Sequence, residues 1–367
     1  MPFREVSVLD ERSVLVSRVL SEGWSLSAAC RSAGVSRPTG RKWVARVSSE
    51  DPGGLSDRSR RPLSSPSSTS SALREELFSL KEKYPGFGAK KLCALMEGRL
   101  SVRTANRLLA SQGLACSPPA PKEAFTRFER ESPNELWQAD FKGLPRRCRY
   151  QALSVVDDAS RFLVSLWAIP DQTLNSTWAA LWETFGEYGL PDTLLTDNGP
   201  TFRNNGTWRP SQFDVRLMLL GVRPAHIKAY RPQSQGKVER FHGTLQRDLG
   251  VSLAKASLEE AATMFREYRA FFNQVRPHEA IGQRTPAKVY TVSGNKRPDR
   301  LPEHRIPEGC QARKVDAAGK ISFRSVEYKL GLGMAGQWVA LKPCEEDGVH
   351  AVLFAGFALG NLQDYAK

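Results

Sequence analysis

The sequence has no C-x-x-C pair among its six cysteines, Cys30, Cys93, Cys116, Cys148, Cys310 and Cys344. That excludes a zinc knuckle of ordinary spacing, and thiols so scattered fit a reduced, cytosolic protein better than a disulfide scaffold. Long apolar runs are missing as well. The longest, AVLFAGFALG at 351–360, is half the length a membrane span requires. The first residues, MPFREVSVLDER, are charged and hold no apolar signal-peptide region. Acidic residues are in deficit, 39 against 53 Lys and Arg, which leaves a net charge of +14. Such an excess points to a polyanionic partner, nucleic acid before membrane. At 367 residues, with eight Trp, the chain is long enough for several domains with real cores.

Residues 1–52 carry a helical rhythm in which Val14, Leu15, Val19 and Leu20 mark a first helix ended by Gly23. LSAACRSAGVSRPTGRKWVARV then reads as helix, tight turn at Ala33-Gly34-Val35, and a second helix capped by Ser36. That second helix places Trp43 and Val44 toward a core and offers Arg37, Arg41, Lys42 and Arg46 to DNA. A plain three-helix knot with a solvated basic face has the same pattern. Gly40 is out of place, since a mid-helix Gly costs about 1 kcal/mol. The Ser-, Pro- and Arg-rich stretch 53–71 reads as a flexible basic linker. Its Arg58, Arg60 and Arg61 could track a DNA backbone or simply stay solvated. Residues 72–116 read as a second helical DNA-binding module, with Arg103 and Arg107 on one helix face, and 117–133 as another linker.

From 134 to 290 the order is βββαβα(β)α, a mixed α/β sheet with meander strands first and a trailing helix. Residues 306–367 alternate in hydropathy, as in KISFRSVEYKL, and read as a small β-barrel-like domain. Within the α/β part three acids stand out. Asp140 interrupts an apolar strand, Asp197 ends the strand LLTDNG, and Glu239 sits on the helix QGKVERFHGTLQRDLG. Three carboxylates from two strands and a helix can converge at one end of a sheet. They cannot share a small volume in ionised form without a cation between them. Hard oxygen donors suit Mg²⁺ or Mn²⁺, and two such ions would clamp both oxygens of an in-line phosphoryl displacement. Asp157 and Asp158, in VVDDASR, read instead as turn caps, with Arg161 paired to one of them. His226 and His242 could reach the site or DNA, although lone histidines are more often structural, and His278 reads as holding the post-catalytic helix in place.

These motifs resemble a DDE transposase with a retroviral-integrase-like core, of the IS3/IS481 group of bacterial insertion sequences. The carriers are WQADFKG, TDNGPTF, YRPQSQGKVERFHGTLQRDL and FFNQVRPHEAIGQRTPAKVY. The resemblance implies an RNase H-like catalytic core whose metal-binding catalytic acids are Asp140, Asp197 and Glu239. It implies cleavage at the terminal inverted repeats of an element and strand transfer of the freed 3′-hydroxyl into target DNA. It also implies a homo-oligomer on paired ends, in the bacterial cytoplasm at the nucleoid. No membrane and no small-molecule substrate are expected.

Lys237, Arg240 and Arg247, on the helix of Glu239, are the expected DNA contacts of the core. Two features depart from the family pattern. Between Asp197 and Glu239 lie 41 residues, an excess placed in FRNNGTWRPSQ, where Trp208 and Arg209 are further candidates for DNA. Position 246, where the family often has a basic residue, is Gln, with Arg247 beside it. Two rivals remain: a DNA-binding regulator with an inactive integrase-like core, and a nuclease that cuts without joining.

Overall fold

The computed structural model describes residues 7–60, 68–115, 129–144, 148–203, 209–227, 236–346 and 348–366. Arg61, Cys116, Trp208 and most of the expected linker 117–133 lie outside the described residues. The chain divides into two units, Met1–Thr69 and Ser70–Lys367.

The first unit holds helices α1 (Val8–Leu20), α2 (Leu26–Ser32) and α3 (Arg37–Glu50). Ser7 and Ser25 cap the first two, accepting from the backbone N–H of Asp10 and Ala28. Leu15, Val16, Cys30 and Trp43 form the core. The apolar stripe of α1 is rotated from the expected one, because Val14 and Leu20 are 46% and 52% exposed. Gly34, at φ +65°, makes the turn between α2 and α3. The misplaced Gly40 has a packing reason: a Cβ there would stand 2.2 Å from Cys30 Sγ, where α3 crosses α2. The expected linker begins later than its composition suggests. Gly54 is buried against the backbone of Arg46, and Arg12 donates to the Leu55 carbonyl at 2.9 Å.

The second unit starts with α4 (Ser71–Lys83), α5 (Ala89–Leu95) and α6 (Val102–Ser111), packed around Leu77, Leu92, Met96 and Leu109. The α/β part follows with β1 (Trp137–Lys142), β2 (Gln151–Asp157), β3 (Leu163–Ile169), α7 (Leu174–Tyr188) and β4 (Thr193–Thr196). It continues with α8 (Gln212–Leu219), β5 (Arg223–His226), α9 (Gly236–Leu253) and α10 (Leu258–Gln274). The five strands lie in the order β3-β2-β1-β4-β5, antiparallel from β1 to β3 and parallel from β1 to β5. Alternation along the strands gives the sheet two apolar faces. Trp137, Ala139, Leu153 and Val155 pack on α7 and α8, whereas Ala152, Val156 and Leu166 pack on α9 and α10. The helical module 71–115 is fastened to the second face: Tyr84 and Phe87 stack on Phe271 of α10 with centroids 5.8 and 6.0 Å apart.

The C-terminal strands are β6 (Gln311–Lys314), β7 (Lys320–Phe323), β8 (Val326–Lys329), β9 (Trp338–Pro343), β10 (His350–Phe354) and β11 (Phe357–Asn361). They form a four-stranded sheet, β11-β10-β9-β6, and a β7-β8 hairpin around one core that also takes in Val215 and Met218 of α8. Among the described residues hydrogen bonding does not close this domain into a barrel. Its seat is the far end of the insertion after Asp197, with Gly331 against Arg209 and Gly333 against the Pro210 carbonyl. No helix among the described residues is long and apolar enough to cross a membrane.

Candidate active site

Asp140 and Asp197 come from adjacent parallel strands. Gln138 of β1 is level with Leu195 of β4, and Asp140 and Asp197 each follow two residues later, near enough that the charge of Asp197 acts on Asp140. Asp140 is half-buried on the sheet face that meets α9, opposite Ser154 of β2. Asp197 follows β4 directly, in a turn where its Oδ1 accepts the Gly199 N–H at 3.0 Å. A Cβ at position 199 would stand 3.0 Å from that same oxygen, which explains glycine in the sequence DNG. Glu239 lies exposed in the first turn of α9.

The three acids repel. The Asp140 carboxyl is pushed up to about 6, first by burial, then by the charge of Asp197, with Glu239 adding less and the Phe141 N–H opposing. Among the described residues, no three His, Cys, Asp or Glu side chains close to metal-binding distance. The donor set nevertheless fits a hard divalent cation: it is all carboxylate oxygen, and its unbalanced negative charge already raises Asp140. The segment 228–235, which leads into the helix of Glu239, lies outside the described residues.

His242, which the sequence left open as structural or as reaching the site, stands beside it. Its Nε2 shares a 2.7 Å hydrogen bond with Ser154 Oγ, and Ser154 Oγ donates to the Asp140 carbonyl at 3.1 Å. The His242 Nδ1 faces Asp140 Oδ2 at 3.7 Å. Burial, helped by the Lys142 charge, pushes the imidazole down to about 4, so the ring is neutral at ordinary pH. The i to i+3 spacing from Glu239 was the available signal. His226 is similarly placed behind Asp197, bonded to Thr196 Oγ1 at 3.0 Å and to Asp214 Oδ1 at 2.9 Å. His278 is half-buried against Phe272, its backbone N–H donates to the Arg284 carbonyl at 3.0 Å in the turn after α10, and desolvation pushes the ring down to about 3.

The expected DNA contacts divide. Arg37, Arg41 and Lys42 are exposed on α3, whereas Arg46 is half-buried with its guanidinium 4.9 Å from the Trp43 ring. Arg58, Arg60, Arg103, Arg107, Arg240 and Arg247 are exposed. Lys237 departs from its expected role: its side chain is largely buried and its ammonium pairs with the fully buried Asp158. The Asp157–Asp158 turn has its caps, since Asp157 Oδ1 accepts the Ser160 N–H at 2.8 Å. Arg161 reaches Glu129 and the Asp158 carbonyl.

Models described as integrase core domain match residues 130–232 and 220–286. A model described as the leucine zipper of insertion element IS481 matches residues 6–81, and one described as the IS481 family transposase C-terminal domain matches 310–364. Residues 8–50 of the zipper match are three separate helices in this structure. A protein of insertion element IS476 from Xanthomonas euvesicatoria is 26% identical over 214 residues, 57% of either chain. The chain thus spans little more than half of that relative's length. The transposase InsD for insertion element IS2D of Escherichia coli is 28% identical over 215 residues, 55% of this chain and 65% of that one. Among solved structures, the HTLV-2 integrase catalytic core domain in complex with magnesium is 20% identical. It covers 44% of this chain and 98% of its own, with a TM-score of 0.35.

Proposed function

We propose that this chain, an integrase core domain flanked by two IS481-type domains, is a transposase that cuts the ends of its insertion element and joins them to target DNA. The observation that supports it best is Asp140 on β1 beside Asp197 just past the end of the parallel neighbour β4, close enough to raise the Asp140 carboxyl, with the helix of Glu239 across the same face. These three carboxylates would hold one or two divalent ions, Mg²⁺ or Mn²⁺. Such ions, when bound, polarise the scissile phosphodiester and the attacking oxygen. The chain would supply the rest: it orients the DNA end and keeps Asp140 in place through Ser154 and His242. In-line displacement needs no covalent protein–DNA intermediate, so no Ser or Tyr nucleophile is sought. Arg240 and Arg247, exposed on the helix of Glu239, would meet backbone phosphate. Exposed bases on α3 and α6 would read the element ends, α2 and α3 acting as a helix-turn-helix. Two ends must be handled together, so the active form is a homo-oligomer.

The test is incubation of the protein with Mg²⁺ and a duplex carrying the inverted repeats that flank its coding region. Nicking at the repeat boundary and joining of a precut 3′-hydroxyl end are expected. End binding without nicking would favour a regulator, and nicking without joining a nuclease.

A further inference from the structure

Asp158 is fully buried at the turn after β2. Its Oδ1 accepts Gln138 Nε2 at 2.7 Å and pairs with the Lys237 ammonium, while its Oδ2 accepts the Arg130 N–H at 2.8 Å. Gln138 stands two residues before Asp140 on β1, and Lys237 two residues before Glu239 on α9. One buried carboxylate therefore holds both the strand of one active-site acid and the helix of another. On β1 a two-residue step keeps Gln138 and Asp140 on one sheet face, about 7 Å apart.

The turn that carries Asp158 is itself fixed. Asp157 accepts from the backbone of Ser160 and Asn134, each at 2.8 Å, and the Asp158 N–H donates to the Leu136 carbonyl at 2.9 Å. Helix α9 is tied at its far end, where Tyr150 Oη donates to the Leu253 carbonyl and Tyr268 Oη to Asp248, each at 2.8 Å. Near the site its apolar contacts are Val238, Phe241 and Leu245. Apolar contact fixes how deep a helix sits but hardly its slide or rotation, because it has no direction. Two directional contacts flank Glu239 instead: Lys237 with Asp158 on one side, and His242 with Ser154 on the other.

We propose that the Gln138–Asp158–Lys237 bridge sets the register of α9 against β1, making Lys237 and Asp158 positioning residues for Glu239 and Asp140. A buried ion pair adds little net stability against apolar side chains of similar volume. Its value here is directional.

This inference rests on the reading of the two acids as one site, so joining by the wild-type protein is the control: its absence counts against that reading alone. The full chain is compared with Lys237→Met, Asp158→Asn, the double variant and Lys237→Arg. Four quantities are read: strand transfer from a precut end, end affinity across a salt series, melting temperature, and the rise in melting temperature on adding Mg²⁺.

Lys237→Met is expected to cut strand transfer about a hundredfold, as a misplacement of about 1 Å does. It should shrink the Mg²⁺-induced rise while leaving the salt dependence of end binding unchanged. Lys237→Arg should recover most of the activity. The double variant removes the unpaired buried charge and should recover melting temperature without recovering strand transfer. The inference is overturned if Lys237→Met joins like wild type. It is overturned equally if the salt slope falls by about one, the mark of a lost phosphate contact. Recovery of strand transfer along with stability in the double variant would also overturn it, since the pair would then matter only for folding.

Discussion

His242 Nδ1 lies 3.7 Å from Asp140 Oδ2, while its Nε2 shares a 2.7 Å hydrogen bond with Ser154 Oγ. Burial holds the ring neutral, so it does not offset the negative charge that Asp197 and Glu239 bring to Asp140. That uncompensated charge suits a cation. The two groups also carry opposite pH dependences, which makes each of them measurable.

For Asp140 the folded carboxyl is raised from 3.8 to about 6. The cost of ionising it is absent below the unfolded value and complete above about 6. Asp140→Asn should therefore be more stable than wild type at pH 7.5 without divalent ions, by about 1–3 kcal/mol. The gap should vanish near pH 4, and Mg²⁺ should raise the melting temperature of wild type but not of the variant. Urea unfolding at the two pH values checks this; a gap independent of pH would contradict it.

For His242 the folded ring is lowered from 6.5 to about 4. The unfolded ring takes up a proton below about 6.5 and the folded ring resists, so this contribution is present above 6.5 and lost as pH falls toward 4. Wild type should lose about 2–3 kcal/mol more than His242→Gln between pH 7.5 and 4.5. Parallel curves would show that the ring is not held neutral.

Gly40→Ala should destabilise the first unit although alanine favours a helix by about 1 kcal/mol. The new Cβ would stand 2.2 Å from the buried Cys30 Sγ. Adding Cys30→Ala should restore much of the loss. Thermal melting of the single and double variants tests it, and a stabilised Gly40→Ala would place α2 and α3 further apart.

Much of this site was legible because its signals are local. TLLTDNG writes a strand, its end and its turn in seven letters, and an acid inside WQADFKG has few other uses. What stayed hidden depended on partners distant in sequence. Lys237 reads as a DNA contact until Asp158 is seen beneath it. Val14 and Leu20 read as core, but the packing of α1 on α3 selects Leu15 and Val16. Gly40 looked like a flaw until α2 was laid across it. The β tail alternated clearly, yet alternation does not say whether a sheet closes.

The most direct test of the account is joining of a precut end in Mg²⁺ by Asp140→Asn, Asp197→Asn and Glu239→Gln, each measured beside its affinity for the same end. Each substitution is expected to lower strand transfer by at least about a hundredfold, with end affinity and melting profile retained. Joining near the wild-type rate by Asp197→Asn would contradict the assignment of these three acids to one site.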